Sequence, residues 1–112
     1  MISEERQFML TAAWLFVRHG RGERARVIME AMQEENPRDG VSAAALAELL
    51  LAAGEAERAL SVIRRADFPA ELSRAEAVLE TRALAMLGRE QESERRWKRY
   101  LASKKGESRS WI

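Results

Sequence analysis

The sequence predicts an all-α fold in which three tandem helix-turn-helix repeats stack into a short right-handed solenoid. Gly20, Gly54 and Gly88 are spaced 34 residues apart, and each follows one apolar helical segment and precedes another. A small residue comes five positions after each glycine, and a large apolar residue comes four positions further on. Because these matches share one register without gaps, they indicate internal repeats, and no sheet is expected.

Each matched residue type has a physical reason to recur. Glycine tolerates the left-handed conformation that ends a helix and reverses the chain. A small residue lets the second helix of a unit approach the first, and large apolar residues fill the space between them. A period of about 34 residues is that of the tetratricopeptide (TPR) repeat. The small residues are Ala25, Ala59 and Ser93, and the large ones are Phe16, Leu50 and Leu84 before the glycines and Met29, Ile63 and Trp97 after them.

The first unit is predicted at about residues 4–37. Its first helix covers about residues 4–19, with Ser3 as the N-cap and two glutamates in the first turn. This helix is apolar on more than one face, which indicates that it is buried on several sides or awaits a partner. The second helix covers about residues 22–35 and ends before Pro37, because proline cannot continue a helix.

The second unit is predicted at about residues 40–69. Its first helix covers about residues 41–53, and either Asp39 or Ser42 caps it. Alanine dominates this helix, favours the helical state and permits close packing on both sides, as the middle element of a stack requires. The second helix of the unit covers about residues 55–66.

The third unit is predicted at about residues 70–105. Its first helix begins at a capping box formed by Ser73 and Glu76, or about one turn earlier. The last helix covers about residues 89–104 and is highly charged, which suits the polar outer face that the end of a solenoid requires.

The C-terminal tail is predicted at residues 106–112, because Gly106 is expected to end the last helix. The tail is polar except for Trp111 and Ile112 at its tip. We expect it to be disordered. The alternative is that these two apolar residues dock onto the array or onto a partner.

Composition narrows the class of protein. The chain has 112 residues and 46% hydrophobic residues, enough for a real core in one domain or one short repeat array. No segment approaches the roughly 20 apolar residues of a membrane span. The acidic beginning lacks the profile of a signal peptide, and cysteine is absent, so there are no disulfides or thiolate metal sites. A cytoplasmic protein is expected, with no membrane insertion.

No enzymatic function is expected. The single histidine, His19, lies at a predicted helix end without a neighbouring carboxylate pair or a second histidine. Glutamates that are adjacent on a helix diverge from each other, and phosphate-binding loops, zinc-ligand spacings and nucleophile elbows are missing. We therefore predict no catalytic, cofactor-binding or metal site.

Basic residues concentrate near the C-terminus, although the net charge is only +1. Together with Trp97 and Tyr100, this cluster leaves open a function in nucleic-acid binding. The preferred interpretation is that basic side chains occupy the last turns of a helix, where the helix dipole favours them. In that interpretation Trp97 and Tyr100 face inward, and no nucleic acid is bound.

Binding of another protein is the expected function. In stacked helical pairs the first helix of each pair lines the concave side, where peptides lie. The expected lining residues are Gln7, Leu10, Trp14 and Val17 in the first unit, Val41, Ala44, Glu48 and Leu51 in the second, and Ala75, Val78, Arg82 and Ala85 in the third.

This lining is mostly apolar, with Glu48 and Arg82 as isolated charges, and it lacks the basic clamp that reads peptide carboxylates. The predicted partner is therefore an apolar helix or segment. Trp14 is the predicted hot spot, because tryptophan is enriched at interface centres. The alternative is that Trp14 packs as a core residue between the first and third helices, or under the N-terminal segment.

The chain resembles the small TPR chaperones of bacterial type III secretion, particularly the YscY (SctY) family. The resemblance covers about residues 5–104 and includes the overall length and the three-unit layout. The residues that carry it are Phe8 to Leu15, Gly20, Glu23-Arg24-Ala25 and Asn36-Pro37 in the first unit, and Arg96-Trp97-Lys98-Arg99-Tyr100-Leu101 in the last.

The resemblance implies a cytoplasmic bacterial chaperone that forms a heterodimer with a small secreted protein of the YscX (SctX) type. Such a chaperone delivers its partner to the export gate at the inner membrane. The related YscG type, which shields the needle subunit, is the second candidate. A generic TPR adaptor with an unrelated partner is the third.

Overall fold

A computed structural model describes the backbone of residues 3–109 and the side chains of residues 3–105. This part of the chain is helical, without strands, and so confirms the predicted all-α class. The first four helices begin and end within one residue of their predicted bounds. The helices are α1 (Ser3–Arg18), α2 (Gly22–Glu35), α3 (Gly40–Ala52), α4 (Ala56–Arg65), α5 (Ser73–Met86) and α6 (Glu90–Arg109), and Ala70–Leu72 forms a 3-10 turn before α5.

The three spaced glycines end α1, α3 and α5 in the same way. Gly20, Gly54 and Gly88 have φ values of +72°, +79° and +76°. In each turn the glycine amide bonds the carbonyl three residues earlier, and the next amide bonds the carbonyl five residues earlier, as in a Schellman motif. These second bonds are 2.7 Å from Arg21 to Phe16, 2.8 Å from Glu55 to Leu50 and 2.9 Å from Arg89 to Leu84.

The small residues that follow the glycines lie at close helix contacts, as predicted. Ala25 and Ala59 are fully buried, and Ser93 is nearly so. The Ser93 hydroxyl donates to the Thr81 carbonyl at 2.8 Å and thereby ties α6 to α5. The large matched residues are buried in the middle of the chain, whereas Phe16 and Trp97, in the first and last helix pairs, are half-buried.

The helices pack in chain order, each against the next, and α3 also packs against α5. The central helix is α3, which contacts α2, α4 and α5 and has seven buried residues. This confirms that the alanine-rich helix is a middle element. The largest fully buried apolar side chains of the core are Met29, Leu46, Leu50, Ile63 and Leu84.

Helix α1 is attached differently. It packs against α2, and its one buried residue is Ala13. Met9, Leu10 and Phe16 lie on the same side of the helix and are partly buried against the core. Four large apolar side chains of the helix, Phe8, Trp14, Leu15 and Val17, are exposed.

Asp39 caps α3, as one of the two sequence interpretations proposed. Its carboxylate accepts hydrogen bonds from the Ser42 amide at 3.3 Å and the Ser42 hydroxyl at 2.6 Å. It also accepts a hydrogen bond of 2.7 Å from Arg6 of α1. The amide of Gln33 in α2 donates to both the Asp39 carbonyl and the Ser42 hydroxyl, at 3.0 and 2.8 Å. One polar cluster thus joins the first three helices.

The connection before α3 also contacts the connection after α4. The Asp67 amide donates to the Arg38 carbonyl at 2.8 Å, and the two side chains form an ion pair at 2.8 Å. Gly40 lies under this contact. A Cβ atom at Gly40 would lie 2.6 Å from the Asp67 carbonyl oxygen and 2.8 Å from the Phe68 Cα, both backbone atoms.

Two predictions about the third unit are wrong. Ser73 and Glu76 do not form a capping box, because the chain enters α5 through the 3-10 turn and Leu72 is the N-cap residue. The Ser73 amide bonds the Ala70 carbonyl instead.

The second wrong prediction concerns the end of α6. Gly106 does not end this helix, which continues to Arg109. Interior glycine costs a helix only about 1 kcal/mol relative to alanine, so it does not by itself stop one. Trp111 and Ile112 lie outside the described residues.

We predict that Gly40→Ala lowers the free energy of unfolding by about 1–3 kcal/mol, because the added methyl group meets backbone atoms that cannot rotate away. Gly22→Ala is the matched control, since it also lies at the start of a helix and its added Cβ would be 3.9 Å from Leu49. That variant should be unchanged or more stable by up to about 1 kcal/mol. Urea unfolding followed by circular dichroism measures both, and equal values would contradict the contact at Gly40.

Asp39→Ala should lower the stability at pH 7 by about 1 kcal/mol through loss of the cap. Burial raises the pKa of Asp39, but hydrogen bonds from Ser42 and Arg6 outweigh burial and leave this pKa below its ordinary value. The stabilisation is therefore complete above the unfolded pKa of about 4 and is lost as the pH falls through the folded pKa. Urea titrations between pH 7 and pH 2 should show the deficit shrinking. A deficit that stays constant with pH would contradict an ionised cap.

Candidate protein-binding surface

A shallow, open cavity of about 500 Å³ lies between α3 and α5. Four of the predicted groove residues line it, two from each helix. We call this cavity the α3–α5 groove, and it is lined by Ala44, Ala45, Glu48, Arg74, Ala75, Val78 and Leu79.

Small apolar side chains form the floor of the α3–α5 groove. Ala44, Ala45, Ala75 and Val78 are half-buried, and the first two pack against the core. Leu79 is buried beneath them. A floor of small residues allows another backbone to approach closely, although the groove is too open to enclose a small molecule.

The two charges predicted to be isolated are paired with each other. Arg82 Nη1 lies 3.0 Å from both carboxylate oxygens of Glu48, across the space between α5 and α3. The side chains are 44% and 58% exposed. The prediction of isolated charges is therefore wrong. The cause is that the two residues occupy the same position in consecutive predicted units, 34 residues apart, and so face each other.

Leu51 does not belong to the surface. It is 3% exposed and packs in the core, so it cannot contact a partner. Val41 and Ala85 are exposed at the predicted positions, although they do not line the α3–α5 groove. Three residues that sequence reasoning missed, Ala45, Arg74 and Leu79, do line it. Arg74 could have been found from its spacing of four residues from Val78.

Trp14 is exposed on α1. Its side chain is 56% exposed, and the Arg18 guanidinium carbon lies 4.9 Å above the ring. The interpretation of Trp14 as a core residue is therefore wrong. Val17 and Gln7 are also exposed, and Leu10 is partly buried against the core. Whether a partner contacts these four residues stays a prediction.

The structure brings part of the predicted site together. Ala44, Glu48, Val78 and Arg82 lie along neighbouring faces of α3 and α5. The residues of α1 form a separate stretch, because α1 packs against α2 more closely than against α3. The candidate surface therefore has an exposed aromatic part on α1 and a small-residue groove with a paired charge on α3 and α5.

Comparison of the chain with protein-family models, curated proteins and solved structures finds no match. The resemblance to the YscY family therefore stays a prediction from the sequence. None of the helices within residues 3–109 combines the length and the hydrophobicity needed to cross a bilayer. Within the same residues, no group of three or more acidic or histidine side chains is arranged to hold a metal ion.

Charged residues away from the groove form ion-pair networks between helices. The glutamates of one network, Glu30 and Glu55, accept hydrogen bonds from Arg26, which lower the pKa of both carboxyl groups. Arg58 bonds the same two glutamates at 3.2 and 3.3 Å and links α2 to α4. These contacts give the charges a structural role.

Two members of the basic cluster near the C-terminus form ion pairs with neighbouring glutamates. Arg96 is largely buried and pairs with Glu80, and Lys98 pairs with Glu94 at 2.8 Å. The ring of Tyr100 is buried with its centroid 5.3 Å from that of Trp97. A buried ring cannot stack on a base, so Tyr100 is not available for such a contact. The absence of nucleic-acid binding stays a prediction.

A double-mutant cycle should detect the pair that crosses the α3–α5 groove. We expect Glu48→Ala and Arg82→Ala to show a coupling energy of about 0.2–1 kcal/mol in urea unfolding, because both side chains are largely exposed. Salt at about 1 M should remove most of the coupling by screening. The pair Lys98–Glu94, within one helix, is the control for an exposed ion pair. Additive effects at low salt would contradict the contact between the helices.

Proposed function

We propose that the three helix pairs form a short right-handed TPR-like solenoid that binds a helical segment of another protein. The 34-residue register, the three identical left-handed helix ends and the packing of α3 on α5 support this architecture. In such an array the first helices of the pairs line one face, and here those helices are α1, α3 and α5.

The exposed indole of Trp14 is the observation that carries the proposed binding function. A tryptophan that is 56% exposed presents a large apolar area to water, and tryptophan is the residue most enriched among interface hot spots. The exposed Val17 lies one turn further along the same face. A helix that covers these residues and continues over the α3–α5 groove would bury a mostly apolar strip.

For the biological role, we propose a chaperone of type III secretion that holds a small secreted protein of the SctX type as a heterodimer. The residues that resemble the YscY family support this assignment, and so does the apolar character of the surface. An export substrate has to stay monomeric, and an apolar groove can cover the helix by which it would otherwise aggregate. The proposed site of action is the bacterial cytoplasm, with delivery to the export gate.

Co-expression with each small protein of a secretion apparatus, followed by size exclusion and mass determination, tests the role. A stable heterodimer with an SctX-like protein supports the proposal. A complex with a needle subunit assigns the YscG-like role. If neither type of secretion protein binds, the remaining candidate is a generic adaptor. These outcomes can be distinguished by the mass of the partner.

Trp14→Ala should weaken binding of the identified partner by about thirtyfold or more, which corresponds to about 2 kcal/mol. The stability of the isolated chain should change by less than about 1 kcal/mol, since the indole is not in the core. Val27→Ala is the matched control, because Val27 is 66% exposed on α2 and lies outside the proposed surface.

Isothermal titration calorimetry and circular dichroism measure the two quantities on the same samples. Equal loss of affinity in both variants would contradict a specific role of Trp14. Loss of helicity in Trp14→Ala would contradict the exposed position of the indole.

A further inference from the structure

Helix α1 has a second exposed face, on the side opposite Ala13. A stripe of five residues runs along it at spacings of four, three, four and three, the spacing of a coiled-coil seam. All five residues are exposed. We call this the outer stripe, and it consists of Glu4, Phe8, Thr11, Leu15 and Arg18.

The apolar members of the outer stripe are large and open to water. Phe8 is 73% exposed and Leu15 is 45% exposed, although both belong to a regular helix of 16 residues. They do not belong to the face that carries Trp14 and Val17, because they are rotated away from it by roughly a third of a turn. The proposed groove therefore leaves the outer stripe unexplained.

The charges of the outer stripe indicate what kind of surface can pack against it. Glu4 lies in the first turn and Arg18 in the last, and neither forms an ion pair within the described residues. The Arg18 guanidinium stacks on Trp14, which holds it in place and leaves its N–H groups free to bind a carboxylate in the plane. An antiparallel copy of the stripe would bring Glu4 opposite Arg18 at both ends. A parallel copy would bring like charges together.

The same antiparallel arrangement matches the apolar residues. The stripe is symmetric about Thr11, so that Phe8 of one copy would lie beside Leu15 of the other, and Thr11 would face itself. A residue as small as threonine at the centre lets the two helices approach. Such a two-fold contact is isologous, with the same patch on both molecules.

The opposite end of the chain argues against head-to-tail association. Helix α6 is highly charged, and Leu101 is its one exposed large apolar residue within the side chains described. Within the described side chains, α6 therefore offers no second stripe of large apolar residues to the outer stripe. The charges of the outer stripe complement those of a second, antiparallel α1.

We propose that the outer stripe is a homodimer interface, in which α1 pairs with α1 of a second copy in antiparallel orientation. A 16-residue helix is about 24 Å long, so this contact buries less area than a standard stable interface. The dimer is accordingly weak, with a dissociation constant in the micromolar range. It leaves the α3–α5 groove accessible, and it borders the surface around Trp14 through Arg18, which stacks on that ring.

Sedimentation equilibrium of the full chain between about 5 and about 500 μM tests the proposal. The wild type should pass from monomer to dimer over this range. Leu15→Glu should raise the dissociation constant at least about tenfold, because it buries an unpaired charge beside Phe8. Val27→Glu, which introduces the same charge at an exposed apolar residue of α2, should behave as the wild type.

Charge reversal tests the antiparallel orientation. Glu4→Arg and Arg18→Glu should each raise the dissociation constant by roughly threefold to tenfold, whereas the double variant should return it to near the wild-type value. Circular dichroism confirms that all variants keep their helicity, as expected for exposed positions.

A wild type that stays monomeric over the whole range overturns the proposal, and so does a Leu15→Glu variant that dimerises like the wild type. A double charge variant that is no better than the single ones overturns the antiparallel arrangement. If Leu15→Glu lost helicity, the charge-reversal variants alone would test whether the dimer forms through the outer stripe. Partner binding in Leu15→Glu should be unchanged, so failure of the dimer can be distinguished from failure of the proposed function.

Discussion

The left-handed turn at each of three glycines is the constraint on which the rest of the structure depends. Gly20, Gly54 and Gly88 reverse the chain with the same pair of backbone hydrogen bonds. A side chain with a Cβ atom would be strained in this conformation by about 1 kcal/mol or more. Because the turns are alike, α2, α4 and α6 all return against their preceding helices in the same way, which places Ala25, Ala59 and Ser93 at equivalent contacts.

The turns define helix pairs, but they do not join one pair to the next. That connection is made around α3 by polar contacts. Asp39 caps the helix and binds Arg6, while the backbone at Gly40 passes close to the connection after α4. The apolar contacts of α3 with α2, α4 and α5 then bury its alanines and leucines. Among the described helices only α2 packs closely on α1, and much of the apolar surface of α1 is open.

The sequence predicted the helices well because their signals are local. Glycine spacing, the proline at residue 37 and the cap at Asp39 each act within a few residues. The failures came where a local signal competes with its surroundings: Gly106 lies in a charged segment that continues as a helix, and Ser73 follows a 3-10 turn that satisfies its amide. Rules that consider only the nearest residues do not account for these effects of the neighbouring structure.

The candidate site was harder to predict, because it depends on which helices are neighbours. Register alone placed Ala44 and Val78 on a common groove, and the structure agrees. Register also placed Leu51 there, but its side chain turns into the core, since α3 is covered on three sides.

The pairing of Glu48 with Arg82 could have been predicted from their 34-residue separation and opposite charge. The exposure of Trp14 could not be predicted from the sequence, because a helix with several apolar faces does not show which of them lacks a neighbour.

The pair of Glu48 and Arg82 constrains any helix that binds along the proposed surface. If an apolar helix covered both side chains, their desolvation would cost more than their mutual attraction returns, unless further hydrogen bonds compensated for it. A partner that fits therefore presents an apolar strip to Trp14 and Val17 and a polar residue at the level of the ion pair. Such a pattern fixes the register and direction of the partner helix, since shifting it by one turn would place an apolar side chain on the charges. The same residues that limit affinity thus provide specificity.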